Sequence, residues 1–292
     1  MLRQNIAVST SEIENAFFNY AVNAGVIFAN RPLIADGNLH RAYVEGDKRC
    51  TKNGAYILHA DGNPSGWFQH FNSDISKRWS LTGKFEPMSS SMKQQIEADK
   101  QRRKIEQGQR HNNAADKARF IWQSAKPITE QSSHPYLIKK RVQPHRARLY
   151  GSALLIPIYG ENKQIVNLQF IGVDGAKRFL SGGRKQGCYS VIGKPSSDSP
   201  ILIAEGWATG ASLHEETGYF TVVALDAGNL ESVAKVFRQF YTESQIIICG
   251  DNDLSGTGQA AAKAAALAVC AKFIIPKIPG YDFNDMLTRE GA

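Results

Sequence analysis

The last third of the chain alternates short apolar runs with longer segments in which apolar residues recur at helical spacing. The short runs are rich in isoleucine and valine, which is typical of strands. From residue 200 onward, strands and helices are predicted in strict alternation at 201–206, 207–218, 220–225, 229–241, 245–251, 257–271 and 272–278. This alternation predicts an α/β fold in which helices cover both faces of a parallel sheet.

The preceding two thirds mix helical and extended patterns. Helical spacing is found at 11–23, up to residue 122 and at 134–142, and turn-punctuated extended runs at 40–49, 54–62, 66–71, 154–159 and 164–172. A strongly charged stretch with few apolar positions separates them, which indicates a solvated helix or a linker. Four segments are therefore predicted: a small α+β module (1–92), a charged linker or helix (93–113), a mixed α+β basic subdomain (114–199) and a parallel α/β domain (200–292).

Composition narrows the function classes. The chain has 35 Lys and Arg against 27 Asp and Glu, a net charge of +8, which favours polyanionic partners such as nucleic acid. Its four cysteines lie far apart with no C-x-x-C pair, so neither a zinc ribbon nor a disulfide framework is predicted. Residues 1–18 include acids, and no apolar stretch reaches bilayer length, so we expect a cytoplasmic protein with reduced thiols and no membrane partner.

Three carboxylates follow predicted parallel strands. Glu205 ends the first strand of the α/β domain, and Asp251 and Asp253 end the third. The carboxyl ends of parallel strands converge on one edge of a sheet, and residues two apart in an extended segment point the same way. Asp251 and Asp253 can therefore share a divalent cation, for which hard carboxylate oxygens favour Mg²⁺ or Mn²⁺. Taken singly, a D-x-D sequence is more often a loop or helix cap than a metal site, and a Glu-Gly after a strand is more often a turn.

The order I-L-I-A-E-G, A-L-D-A-G-N and I-C-G-D-N-D within 200–278 resembles the Toprim domain, which primases, topoisomerases and some nucleases share. The resemblance implies a Toprim-type parallel sheet flanked by helices and a Mg²⁺ or Mn²⁺ cofactor. It also implies that Asp251 and Asp253 hold the metal and that Glu205 takes part in acid/base chemistry or completes the metal site. These motifs alone do not identify the reaction.

The segments upstream of the Toprim-like region favour a primase. HPYLIKKRV, LLIPIYGENKQIVNLQFIG, GAKRFLSGG and GCYSVIG resemble, in that order, the basic half of the bacterial-type primase polymerase domain. The resemblance implies synthesis of short RNA primers from nucleoside triphosphates on single-stranded DNA. The family's zinc-binding module has no counterpart before residue 92, as in primases of phages, plasmids and integrative elements. No P-loop sequence is present, so any helicase is expected to be a separate partner.

Basic residues of this half are candidates for binding phosphates of the template or nucleotide. Lys177 and Arg178 match the family's basic segment best, and Arg184 and Lys185 extend the charge. Arg141 is a weaker candidate, because a cation that ends a helix also complements the helix dipole. For each of these residues an exposed basic turn is the alternative.

An acidic segment near the end of the chain contains further candidate metal ligands. The GYDFNDML segment is similar to the D-[FW]-N-D segment of mobile-element primases, so Asp285 or Asp282 is a further candidate metal ligand. Asp282 could instead cap the last helix.

Two other functions are compatible with the same sequence. A Toprim-type nuclease would direct water at a phosphodiester with the same acids. A non-catalytic DNA-binding replication module is the third reading.

Overall fold

The computed structural model describes residues 8–83, 90–129 and 133–288. Residues 1–7, on which part of the expectation about targeting depends, lie outside this range. The chain divides into two compact units, residues 1–96 and residues 97–292. Throughout the described ranges, no helix combines the length and the apolar character needed to cross a membrane.

The first unit contains a helix and a small antiparallel sheet. Helix α1 (Thr10–Asn23) begins with a capping box, in which the Ser9 side chain accepts from the Glu12 backbone and Glu12 accepts in return. The sheet has the order β1-β2-β3-β4, with β1 His40–Ala42, β2 Gly54–His59, β3 Ser65–His70 and β4 Ile75–Ser80. The predicted helix and three strands are confirmed, and β4 is an additional strand.

Helix α2 (Ser90–Ser124) is 35 residues long and runs through the whole predicted 93–113 segment. Its charged middle has no apolar stripe, in agreement with a solvated helix. Near its end, Ala118 and Ile121 are buried against Leu155 and Leu168 of the following sheet. The carboxyl-terminal part of α2 is thereby fixed to the second unit.

The second unit begins with a five-stranded antiparallel sheet of order β5-β6-β7-β8-β9. Its elements are β5 Lys126–Pro127, helix α3 Pro135–Lys140, β6 Arg148–Tyr150, β7 Ala153–Tyr159, β8 Ile165–Ile171 and β9 Lys177–Phe179. The basic segment that follows β8 in sequence is therefore an edge strand rather than a turn.

A second five-stranded sheet follows, with the order β10-β12-β11-β13-β14. Four strands are parallel, and β10 pairs antiparallel with β12 at one edge. The elements are β10 Ser190–Ile192, β11 Ile201–Ala204, α4 Trp207–Thr217, β12 Thr221–Val223, α5 Leu230–Phe240, β13 Ile246–Cys249, α6 Thr257–Ala268, β14 Lys272–Ile274 and α7 Phe283–Thr288. Every strand and helix predicted between 201 and 274 is confirmed.

Alternate side chains of the central strand explain the two layers of helices. Ile201 and Ile203 are buried with residues of α5 and α6, whereas Leu202 and Ala204 are buried with residues of α4 and α7. Because both faces of β11 are covered, the strand is apolar at every position. The only direction left for polar chemistry on this strand is its carboxyl end, where Glu205 follows.

Candidate active site

Glu205 lies at the carboxyl end of β11, between the ends of β12 and β13. The residue is half-buried, and burial raises the pKa of its carboxyl group. A hydrogen bond from the backbone N–H of Ala227 opposes this rise, while the neighbouring charges of Asp226 and Asp253 add to it. Glu205 is therefore an acid whose ionised form is disfavoured by its surroundings.

Asp251 follows β13, which pairs directly with β11. Burial, then the charges of Glu205 and Asp282, raise the pKa of Asp251 to about 7. Its Oδ1 atom is buried and has no hydrogen-bond partner. A buried carboxylate oxygen without a donor is costly, and at a sheet edge shared with other acids it is the atom that a cation would satisfy.

Asp253 has a different environment from Asp251. Its Oδ1 accepts hydrogen bonds from Ser255 and from Thr257 N at 3.2 Å, and its Oδ2 accepts from Gly258 N at 2.5 Å. These bonds, with the Ser255 side chain first, lower the pKa of Asp253. Asp253 is thus ionised and caps the first N–H groups of α6, while Oδ2 keeps one lone pair without a donor.

Two glycines let α6 approach this loop. A Cβ atom on Gly250 would lie 2.5 Å from Ala262 Cβ, and one on Gly258 would lie 2.6 Å from the carbonyl oxygen of Asp251. Both distances are shorter than side chains tolerate, so only glycine fits at these positions. Asn252 points away from the acids, because its side chain donates to the Pro276 carbonyl at 2.8 Å.

A further acid, Asp226, follows β12 at the same edge. Its neighbour Leu225 has a φ of 79°, a left-handed backbone that a branched residue adopts only at a cost. The Asp226 carboxylate accepts a hydrogen bond from Lys185 Nζ. Lys185, predicted to bind phosphate, is therefore held by an acid of the cluster and also lies 5.5 Å from the ring of Phe179.

Lys177 brings positive charge from the antiparallel sheet to the acids. A Cβ atom on Gly206 would lie 3.9 Å from Lys177 Nζ, so the ammonium group lies beside the residue that follows Glu205. Although much of Lys177 is exposed, burial of the amine and the charge of Lys140 lower its pKa. The carboxylates of Asp282, Asp251 and Glu205 oppose that shift, so the three acids lie near the amine.

The acids near the carboxyl terminus divide into two roles. Asp282 contributes to the raised pKa of Asp251, so it belongs to the cluster. Asp285 accepts from Lys140 Nζ at 3.1 Å, and its backbone N–H donates to Asp282 Oδ1 at 2.8 Å. The structure therefore places Asp282 near Asp251, and Lys140 pairs with both Asp282 and Asp285.

The remaining predicted basic residues lie in other surroundings. Arg178 is exposed, and because neighbouring residues of a strand point to opposite faces, it points away from the side of β9 that carries Lys177. Arg184 is half-buried and donates from Nε to Cys188 Sγ at 3.2 Å. Arg141 donates from Nη1 to the Thr288 carbonyl at 2.9 Å. The structure thus brings Lys177 and Lys185 to the acids, but not these three arginines.

Three buried asparagines, which the sequence analysis missed, hold the loops of the site. Asn167 donates to the Arg184 carbonyl at 3.0 Å, Asn229 donates to the carbonyls of Cys188 and Ala224 at 2.9 and 2.7 Å, and Asn284 donates to the Lys140 carbonyl at 2.7 Å. All are at most 1% exposed. The sequence feature that could have identified Asn167 is its position as an amide within the largely apolar strand β8.

The carboxylate oxygens of the acid cluster are the type of ligand that a hard divalent cation prefers, but their spatial arrangement only partly matches a metal site. Within residues 8–83, 90–129 and 133–288, no three His, Cys, Asp or Glu side chains are arranged closely enough to hold a metal ion. Asp251 Oδ1 nevertheless lacks a donor, and Glu205 shares its edge of the sheet. The site therefore fits an ion held by Asp251 and Glu205, and the participation of Asp253 stays a prediction.

Comparison with known proteins identifies the last third of the chain. A protein-family model described as "Toprim domain" matches residues 200–292. These residues are a Toprim domain. The acids described above all lie within this Toprim domain, whereas Lys177, Lys185 and Lys140 come from the segment before it. Metal dependence is a property of Toprim primases as a class.

Two curated proteins are similar to most of the chain. Both are called DNA primase TraC, from Escherichia coli, and they are 34% and 31% identical over 258 residues, or 83% of this chain. The chain spans 24% and 18% of their lengths. The similarity therefore extends beyond the Toprim domain to the basic sheet that carries Lys177.

Solved primase structures are more distant. The zinc-binding and RNA polymerase domains of the Aquifex aeolicus primase share 14% identity, with coverage of 97% of this chain and 83% of that chain and a TM-score of 0.45. A primase catalytic domain bound to single-stranded DNA shares 14% identity, with coverage of 64% and 79% and a TM-score of 0.43. TM-scores below 0.5 add nothing to the fold described above.

Removal of the Asp251 charge is expected to stabilise the protein in metal-free buffer. Because the folded-state pKa is raised to about 7, the folded protein retains a proton that the unfolded chain loses near pH 4. The wild-type free energy of unfolding should therefore fall, relative to that of Asp251→Asn, as the pH rises from about 4 to about 7. At pH 8 we expect Asp251→Asn to be more stable by on the order of 2 kcal/mol.

Urea unfolding of both proteins in EDTA at pH 4.5 and pH 8 measures this difference. Addition of Mg²⁺ or Mn²⁺ at pH 8 should stabilise the wild type and not Asp251→Asn, since a ligand stabilises only the state that binds it. Equal stability of the two proteins at pH 8 would contradict the assigned environment of Asp251.

Proposed function

We propose that the protein is a DNA primase, which makes short RNA primers on single-stranded DNA by metal-dependent nucleotidyl transfer. One observation carries the proposal: the ammonium group of Lys177, from the basic sheet, lies beside Gly206, the residue after Glu205, at the sheet edge that also carries Asp251. Phosphoryl transfer requires both a cation-binding acid cluster and a positive group for phosphate oxygens. The named relatives support the same activity.

The proposed cofactor is Mg²⁺ or Mn²⁺. Asp251 and Glu205 would hold the ion, with Asp253 Oδ2 as a third ligand through its remaining lone pair. A bound divalent ion supplies neutralisation of the charge that develops on the phosphate oxygens. Asp282 adds negative charge to the same edge and so strengthens attraction for the cation.

The protein's own residues would position the reactants and one proton. Lys177, whose ammonium group lies beside Gly206, would contact a phosphate oxygen of the incoming nucleotide. As the alternative to binding the ion, Glu205, with its raised pKa, would accept the proton of the primer 3′ hydroxyl, because a general base works best with a pKa near the working pH. Positioning and charge neutralisation would then account for most of the rate.

The other basic residues have graded roles in this proposal. Lys185, held by Asp226, would bind phosphate at the rim of the cluster. Arg178, exposed on the opposite face of β9, would contact the template backbone. Arg184 and Arg141 would act through the loops that they hold. The proposed partners are single-stranded DNA and nucleoside triphosphates, and a separate helicase stays a prediction from the sequence.

Incubation of the protein with an unlabelled single-stranded DNA template and labelled ribonucleotides, with and without Mg²⁺ or Mn²⁺, tests the activity. We expect short labelled oligonucleotides that require both template and metal ion. Cleavage of supplied labelled DNA without any synthesis would instead identify a Toprim nuclease. Metal-independent DNA binding with neither product would identify a non-catalytic module.

A further inference from the structure

A second pocket, of about 340 Å³, lies on the far side of the second unit from the acid cluster. Its lining includes Phe220, which precedes β12, and Phe240, the last residue of α5. The acid cluster lies at the opposite ends of these two elements, beside Asp226. Since α5 has 11 residues at 1.5 Å each, the two sites are separated by roughly 16 Å or more.

Aromatic rings form the floor of this pocket, which we call the aromatic pocket. Tyr159, Phe240 and Tyr241 are partly exposed in it, and Phe240 has 37% of its surface in solvent. All are supported from behind by Phe237 or Tyr189, which are 2% and 3% exposed. The Phe237 centroid lies 5.9 Å from that of Phe240 and 6.1 Å from that of Tyr241. The rings are thus held in place before any ligand arrives.

Three exposed cations surround the rings. Lys163 Nζ lies 5.4 Å from the centroid of the Phe240 ring, and Arg146 and Lys194 also line the pocket. Arg146 is close enough to Tyr159 to oppose the rise that burial causes in the pKa of that phenol. Among the described residues, none of the three cations forms an ion pair with a carboxylate. Their charge is therefore available to a ligand.

Flat rings between unpaired cations match the chemistry of single-stranded nucleic acid. A base stacks on an aromatic ring whatever its identity, and the phosphates on either side require positive charge. A hydrophobic peptide or a lipid tail would not use the cations, whereas a free phosphate would not use the rings. The net charge of +8 favours the same class of ligand.

We propose that the aromatic pocket binds one base of single-stranded DNA, with the neighbouring phosphates contacted by Arg146, Lys163 and Lys194. The site is separate from the acid cluster and gives the protein a second contact with the single-stranded DNA. This goes beyond the proposed primase activity and does not depend on it, because binding requires neither metal ion nor nucleotide.

The test is fluorescence anisotropy of the full chain with a fluorescein-labelled 20-mer of thymidylate in EDTA. For R146Q/K163Q/K194Q we expect a Kd at least about tenfold higher than for the wild type. The slope of log Kd against log salt should fall by about 2, since each lost phosphate contact on a single strand removes about 0.7. The matched control is K235Q/K263Q/K272Q, which removes three exposed charges elsewhere in the second unit and should bind as the wild type does.

Two substitutions of Phe240 test the stacking separately. Phe240→Leu keeps an apolar side chain against Phe237 but removes the ring, and we expect Kd to rise at least about fivefold. Phe240→Tyr keeps the ring and should bind like the wild type, so a folding defect common to both variants would be recognised. Equal Kd values for Phe240→Leu and Phe240→Tyr would overturn the proposal.

Mononucleotide competition separates a strand from a free nucleotide. We expect millimolar thymidine triphosphate to leave the labelled 20-mer bound. Displacement by the triphosphate, lost in R146Q/K163Q/K194Q, would show that the pocket takes free nucleotides and would overturn strand binding. Because the anisotropy is measured in EDTA without ribonucleotides, failure of the primase proposal and failure of this one give different results.

Discussion

We expect Asp251→Asn to reduce the rate of primer synthesis by about 100- to 1,000-fold, the range seen when one preorganised electrostatic group is removed from a reaction site. Asp251 Oδ1 is the buried carboxylate oxygen with no donor, and Glu205 ends the adjacent strand. The amide keeps the shape of the side chain but provides only one oxygen and no charge, so a divalent ion loses its central ligand. Labelled ribonucleotide incorporation on single-stranded DNA, at saturating Mg²⁺, measures the loss.

Glu231→Gln is the matched control for this substitution. Glu231 is an acid of the Toprim domain on the exposed side of α5, where it pairs with Lys235, and its amide variant should retain wild-type synthesis. Because Asp251→Asn is expected to be more stable than the wild type in EDTA, its loss of activity cannot be attributed to unfolding. Synthesis within tenfold of the wild type would remove Asp251 from the metal site.

The parallel sheet was predictable because two simple periods dominate its sequence. The three central strands are buried on both faces and therefore almost wholly apolar, as Ile201 to Ala204 show, and helix α5 carries a clear 3.6-residue pattern. Acids at the ends of such strands converge by topology, without any need for long-range information. The positions of Glu205 and Asp251 on one edge follow from that rule.

The roles within the acid cluster were not predictable from spacing. A D-x-D sequence is compatible with two metal ligands or with one ligand and one helix cap, since both uses place oxygens at the end of a strand. The structure shows that Asp253 binds the first N–H groups of α6, whereas Asp251 has a free oxygen. Likewise, only tertiary contacts distinguish Asp282, which acts on Asp251, from Asp285, which binds Lys140.

Edge strands and buried amides escaped the sequence patterns for a related reason. Strand β10 has only three residues, and the six residues of β4 do not alternate between buried and exposed clearly enough to be separated from a loop. Asn229 is 1% exposed, although a polar residue next to a glycine normally indicates an exposed turn. Its side-chain amide donates to the carbonyls of Lys185 and Ala224 and so holds the loop that carries Lys185 beside the end of β12. This role depends on the tertiary placement of the loop, which no local sequence pattern indicates.

Substitutions of Lys177 and Arg178 are expected to have different effects on primer synthesis, because these neighbouring residues of β9 lie in different surroundings. We expect Lys177→Gln to lower kcat for primer synthesis about 100-fold with little change in template Kd, since its ammonium group lies among the acids that would hold the metal. Arg178→Gln should leave kcat within about threefold and raise template Kd, with a smaller salt dependence, as expected for a backbone contact.

Synthesis at saturating template and nucleotide, together with anisotropy of labelled template, separates the two effects, and Lys263→Gln serves as an exposed control on α6. The comparison is sharp because both substitutions remove one positive charge from β9 and leave the same net charge. A uniform electrostatic attraction for DNA would make the variants equivalent. If Lys177 makes a specific contact at the acid cluster, the two variants should differ in kcat, because the two side chains point to opposite faces of β9. An equal loss of kcat in both would exclude the placement of Lys177 at the reacting phosphate.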